Sequence, residues 1–281
     1  MAFTTRVKEA LNRRLAPFNL RIDTLTARRI EERRVAALER ASHFERPVFP
    51  LPPALQSLDP RPVLDAVAAY RPRFADFEDP ALNDVGYSFD NIYYTSPDAE
   101  VLYSLVRSRS PGKIVEIGSG NSTKISRQAI RDGGLSTRLI SIDPSPRIEI
   151  AHLTDESRRS ALSTTSRLEE IGAGDFLFID SSHVIRAGNE VAFLYLDVLP
   201  RLPAGTIVQV HDIFLPYEYP KQWALDWEYD EQYLVQAILQ FGTGFEVLWA
   251  GYYLQRTLPD FAAHFPRAER PGTSLWLLKT R

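Results

Sequence analysis

Ile114-Val115-Glu116-Ile117-Gly118-Ser119-Gly120-Asn121-Ser122-Thr123 reads as a buried strand that ends in an acid and runs through a glycine turn into a helix. Leu139-Ile140-Ser141-Ile142-Asp143, further on, reads as a second buried strand ending in an acid. This wiring belongs to nucleotide-binding α/β folds. The first glycine relieves a tight turn, the second lets backbone N–H groups approach a ligand, and an acid at the second strand tip can take both hydroxyls of a ribose.

A dinucleotide site needs a third glycine, because its pyrophosphate sits against the helix N-terminus and the helix packs close to the strand. Thr123 occupies that position here. Glu116, two residues before Gly118, would repel a pyrophosphate but suits a ligand with a cationic amino-acid end. The acid-x-Gly-x-Gly pattern resembles motif I of class I S-adenosylmethionine-dependent methyltransferases, and Asp143 matches the acid with which that family binds the ribose.

The rest of the chain sets the frame. Its 281 residues carry a formal net charge of −3, so no strong field points to nucleic acid. There is no cysteine, which excludes disulfides and thiolate metal sites. No apolar run approaches the roughly 20 residues of a membrane span, and the N-terminus has no signal-type apolar core, so a cytoplasmic protein is expected. Residues 1–46 are arginine-rich, with Val7, Leu11, Leu15 and Phe18 at helical spacing and a second periodic stretch through Ile30, Val35 and Leu38. This arm suggests a packed helix pair, a homodimer contact, or a membrane-surface or partner-binding element. Prolines crowd positions 47–62, so residues 1–88 read as a helical arm with a Pro-rich connector and 89–281 as the main domain.

From position 89 strands and helices alternate. Helices are expected from Ser96 or Asp98 to Arg107, over Ser122–Asp132, near Arg147–Leu153, over Gly188–Leu199 and near Tyr229–Gln240. Strands are expected at Lys113–Gly118, Arg138–Asp143, somewhere in 158–166, at Asp175–Asp180 and at Thr206–His211. Phe245–Trp249 and Ser274–Lys279 read as an antiparallel closing pair. The expected fold is Rossmann-like α/β: a mostly parallel seven-stranded sheet with helices on both faces and an N-terminal helical extension.

Ligands of open α/β sheets sit outside the carboxyl ends of the strands. Those ends here supply Glu116 and Gly118, Asp143, Asp180-Ser181-Ser182-His183, and His211-Asp212. Phe-Ile-Asp180-x-x-His183 followed by Val-His211-Asp212-Ile, with Glu231-Gln232-Tyr233 beyond, resembles the methyltransferase-24 branch, grouped with sugar and polysaccharide O-methyltransferases. The likeness spans roughly residues 89–250.

That resemblance implies S-adenosylmethionine as cofactor, held by Glu116, Gly118, Ser119, Gly120, Asn121, Ser122, Asp143 and Asp180. It implies a divalent ion such as Mg2+ on Asp180, His211 and Asp212, and a small-molecule or glycan hydroxyl as acceptor. Catalytic roles fall to Asp180, His183 and His211, because an alcohol needs a base or a Lewis acid to become a nucleophile. The aromatic run Tyr217, Tyr219, Trp223, Trp227, Tyr229 and Tyr233 suggests either an acceptor pocket or the core of a lid. Asn91, Tyr93 and Tyr94 are candidates to close over the cofactor. Ser163–Ser166 and Glu169 lie where the fold recognises adenine, with no motif to choose between them. Two other readings use the same residues: a metal-dependent hydrolase or oxygenase built on the Asp/His tips, and a non-catalytic module that senses the cofactor.

Overall fold

The strands found are β1 (Lys113–Ile117), β2 (Arg138–Ile142), β3 (Glu156–Arg158), β4 (Phe176–Ile179), β5 (Ile207–Val210), β6 (Phe245–Ala250) and β7 (Leu275–Lys279). The computed structural model describes residues 2–22, 25–168 and 170–281, so Glu169 lies outside the described residues. One sheet contains all seven strands, in the order β3-β2-β1-β4-β5-β7-β6. β1 to β5 run parallel, and β7 pairs antiparallel with both β5 and β6.

Strands buried on both faces must be apolar throughout, which explains why β4 and β5 could be read as continuous runs. Ile114, Phe176, Phe178, Ile207 and Trp276 face one core layer, where they meet the helices Arg61–Tyr70, Asp98–Arg109 and Asn121–Gly133. Val115, Ile117, Leu177, Ile179, Val208 and Val210 face the other, against the segment 190–201 and the helix Glu231–Phe241. The first layer also takes in Val63, Leu64, Val67, Phe74, Phe77 and Tyr87, so residues 61–87 contribute to the core as well as connecting to it.

β3 departs from the sequence expectation. It lies at Glu156–Arg158, meeting the expected region 158–166 only at Arg158, in a polar stretch. It is an edge strand: Ile140, Ser141 and Ile142 of β2 pair with Glu156, Ser157 and Arg158. Only backbone pairing is required there, and its side chains remain in reach of water, with Arg138 and Arg158 both paired to Glu156.

The N-terminal arm contains two helices, Ala2–Leu15 and Thr26–Arg40. The second leans on the segment after β5: Arg28 pairs with Asp226, Glu39 with Lys221 and His43 with Glu218. No helix among the described residues is long and apolar enough to cross a membrane.

Candidate active site

Strand order reverses between β1 and β4, which opens a crevice at their carboxyl ends. Gly118 forms its floor. The residue has φ +83° and donates its N–H to Ile142 O at 3.0 Å, while Asp180 N donates to Ile117 O at 2.8 Å. A Cβ on Gly118 would lie 1.8 Å from the carbonyl oxygen of Asp180, so no other residue fits without parting the two strands. The turn then presents Ser119, whose N–H and hydroxyl both donate to Asp143 Oδ2 at 2.9 Å; Ser145 N donates to Oδ1 at 2.8 Å.

A cleft of about 450 Å³ opens from this floor. One side is formed by Asp143, Arg147 and Ser160–Leu162, the other by Asp180, His183, Asp212 and Tyr229. Of the cofactor-binding residues expected from sequence, Gly118, Ser119, Asp143 and Asp180 line it. Glu116 does not. It is 1% exposed beneath the turn, accepting hydrogen bonds from Ser122 Oγ and Thr123 Oγ1, both at 2.5 Å. Burial pushes its carboxyl up to about 8 against the opposing effect of those two hydroxyls. Glu116 and Ser122 therefore tie β1 to the start of the following helix from behind. Gly120 N donates to Thr123 Oγ1, which closes that helix start, and neither Gly120 nor Asn121 lines the cleft.

The opposite wall concentrates charge. His183 has φ +59° and is 2% exposed. Its Nδ1 lies 2.8 Å from Glu231 Oε2, while Nε2 lies 3.2 Å from Asp180 Oδ1 and 3.4 Å from Asp212 Oδ2. Burial alone would strip the ring of its proton, but hydrogen bonds to Asp180 and Glu231 and the nearby Asp212 charge outweigh it and raise the imidazole to about 10. Asp180 shows the converse. Burial raises it, yet the His211 charge and the hydrogen bond from His183 hold it well below the usual carboxylate range.

His211 stands one step back, 5% exposed. Its Nδ1 is 3.2 Å from Asp212 and 3.6 Å from Asp180; its Nε2 is 3.4 Å from Asp98 and 3.3 Å from Thr273 Oγ1. Burial again opposes protonation, and the Asp212 and Asp180 charges overcome it and raise the ring well above its ordinary value. Among the described residues, the set whose ligand atoms all fall within 4.8 Å of one another is Asp180, His183 and Asp212. Both rings reach the two carboxylates: His183 completes this set, and His211 Nδ1 approaches the same pair from behind.

Sequence reasoning passed over Glu231 as a site residue, along with Arg147 and Ser160–Leu162. Glu231 is fully buried at the start of its helix, whose first N–H groups also engage the His183 carbonyl: Asp230 N and Glu231 N donate to it at 3.0 and 3.1 Å. An acid opening a helix could have been noticed; its pairing with a histidine 48 positions away could not. Of the aromatic run, Tyr229 lines the cleft, its ring 4.7 Å from that of His183. Trp223 and Trp227 pack on Tyr229 at 5.5 and 5.4 Å, and Tyr219 at 5.8 Å. Tyr94 is buried, its ring 5.1 Å from His211, whereas Tyr93 is exposed beneath the Arg147 guanidinium.

A family model described as "Methyltransferase domain", of the methyltransferase-24 type, matches residues 115–213, from the core of β1 to just past Asp212. Over that segment the chain is similar to methyltransferase domains. The matched segment holds the floor of the cleft and the Asp180–His183–Asp212 cluster, while Glu231 and Tyr229 lie beyond it. Solved structures that resemble most of the chain have low sequence identity to it. They include cofactor-bound Rv0187 from MTB (15% identity, 78% of this chain and 89% of that one, TM-score 0.44). Another is the SAH-bound Podospora anserina methyltransferase PaMTH1 (16%, 88% and 96%, TM-score 0.41). A third is an O-methyltransferase from Bacillus cereus in complex with SAH (15%, 78% and 91%, TM-score 0.39). No curated protein matches the sequence.

Proposed function

We propose that this domain binds S-adenosylmethionine over the β1–β4 crevice and transfers its methyl group to a hydroxyl of a sugar, glycan precursor or other small molecule. One observation carries the reading: the Ser119–Asp143 turn and the Asp180–His183–Asp212 cluster face each other across a single cleft. A ribose at Asp143 and a reacting hydroxyl at the cluster would share that space.

Asp143 uses three of roughly four acceptor positions on Ser119 and Ser145. Holding both ribose hydroxyls requires the Ser119 hydroxyl to turn away while its N–H stays. On the far side, the Glu231 carboxylate fixes Nδ1–H of His183 and leaves Nε2 as the atom offered to the cleft. In the transfer, the acceptor oxygen forms a bond to the methyl carbon and the carbon–sulfur bond breaks. The electron pair of that bond stays on sulfur, and the hydroxyl proton goes to His183 Nε2. Holding the two reactants in line supplies much of the rate.

Two carboxylates and an imidazole suit a divalent cation such as magnesium or manganese, with Asp180, His183 and Asp212 as the holding residues and His211 behind them. Such an ion would supply Lewis acidity toward the acceptor hydroxyl. His183 acts as base or ligand only once its proton has left. Asp180, Glu231 and Asp212 together favour that proton, so a cation on the two aspartates would favour its release.

Calorimetric titration with S-adenosylhomocysteine, with and without magnesium, tests the reading. Micromolar binding, about −8 kcal/mol, weakened tenfold or more by Asp143→Ala, is expected. Asp180→Asn should then abolish methyl transfer to hydroxylated sugars while leaving that affinity nearly unchanged. Absence of heat in either condition overturns the cofactor assignment.

A further inference from the structure

Seven of the fourteen large apolar side chains exposed among the described residues lie between positions 7 and 30, outside the matched domain. The first helix of the arm and the turn after it are pinned by a reciprocal pair: Asn12 Nδ2 donates to Ile22 O at 2.8 Å and Ile22 N donates to Asn12 Oδ1 at 2.7 Å. Between these points the chain turns through Ala16–Phe18 and Asn19, which has φ +55°. Near this apex Phe18 is 74% exposed, Leu20 60%, Leu25 59% and Ile22 47%. Val7 and Leu11 continue the apolar stripe down the first helix.

The second helix of the arm is committed to the body. Val35 is fully buried, and Arg28 and Glu39 are ion-paired to residues 226 and 221. The turn thus leads into a helix that is fixed to the body. Its flanks are basic: residues 10–30 contain Arg13, Arg14, Arg21, Arg28 and Arg29 against one acid.

We propose that this apex is a membrane-surface anchor, with Phe18, Leu20, Ile22 and Leu25 entering the interfacial layer of a bilayer and the flanking arginines meeting anionic headgroups. Two observations favour lipid over a protein partner. Four exposed side chains fall far short of the roughly 20–30 residues per side of a stable protein interface, whereas a fluid surface closes around a small patch. The charge is complementary as well, since arginine dominates where the apolar side chains project.

Co-sedimentation of the full chain with phosphatidylcholine vesicles, with and without about one-third phosphatidylserine, tests the proposal. Partition onto the anionic vesicles should exceed that onto neutral ones at least tenfold and fall as salt is raised. The double variant Phe18→Ser/Leu20→Ser should lose tenfold or more. Arg13→Gln/Arg14→Gln should also lose affinity, on the order of fivefold per arginine, with a shallower salt dependence. All four side chains lie outside the packed core, and far-UV circular dichroism confirms that the variants fold. Equal partition onto both vesicle types, no partition, or wild-type behaviour of the double variant overturns the proposal. So does a dimer in sedimentation velocity that the double variant dissociates while vesicles go unbound, which would place a second copy on the apex.

Discussion

Glu231→Gln isolates the charge behind His183. The carboxylate oxygen is 2.8 Å from Nδ1, Glu231 is fully buried, and the ring is held protonated to about pH 10. At that separation and an effective dielectric near 20, the attraction is about 6 kcal/mol. A glutamine oxygen can still accept the Nδ1–H, and Asp180 and Asp212 still face Nε2, so the expected loss of folding stability is about 3 kcal/mol, the low end for breaking a buried ion pair. The pH dependence separates charge from packing. Because the folded pKa of His183 lies above its unfolded value near 6.5, its stabilisation is complete below pH 6.5 and disappears as pH rises through 10. The cost of the substitution should therefore be full at pH 6.5 and fall to about 1 kcal/mol or less at pH 10.5. Urea unfolding of both proteins in EDTA at the two pH values measures it. An equal cost at both, or a cost under about 1 kcal/mol at pH 6.5, refutes the ion-pair account.

Three further outcomes are expected. Gly118→Ala forces a Cβ to 1.8 Å from the Asp180 carbonyl, so β1 and β4 must part by at least about an ångström; urea midpoints should register a loss of about 3 kcal/mol or more, and S-adenosylhomocysteine binding should vanish from calorimetry. Asp98→Ala strands the buried N–H groups of Thr273 and Ser274, which now donate to it; about 3 kcal/mol should be lost, with the melting temperature falling accordingly. If the Asp180–His183–Asp212 set holds a divalent ion, magnesium should raise the melting temperature of the wild type, EDTA should reverse this, and Asp212→Asn should show neither effect.

The sheet was legible wherever burial on both faces dictates composition. Phe176–Ile179 and Ile207–Val210 can be little else than interior parallel strands, and their tips located Asp180, His183 and Asp212. β3 was illegible because an edge strand is defined by its neighbour's backbone, and Glu-Ser-Arg shows no burial pattern. Glu116 illustrates a different limit. Its place in the motif was clear, but whether the side chain faces the cleft or the helix start depends on Ser122 and Thr123 folding over it. Likewise Glu231 and Ser160–Leu162 reach the site through tertiary packing that no local spacing encodes.

His183 joins two things an engineer would want to keep apart. Its ring meets the acids of the cleft, while its carbonyl receives the first N–H groups of the helix Glu231–Phe241, and Ile185 N reaches back to Asp230 at 2.6 Å. The loop after β4 and the aromatic segment leading into that helix are thus buttoned together at His183. Grafting the 213–230 segment from a relative to alter acceptor choice would shift the imidazole along with the pocket wall. Acceptor range and turnover should then evolve as one trait, through paired changes in both loops, instead of by exchange of a single cassette.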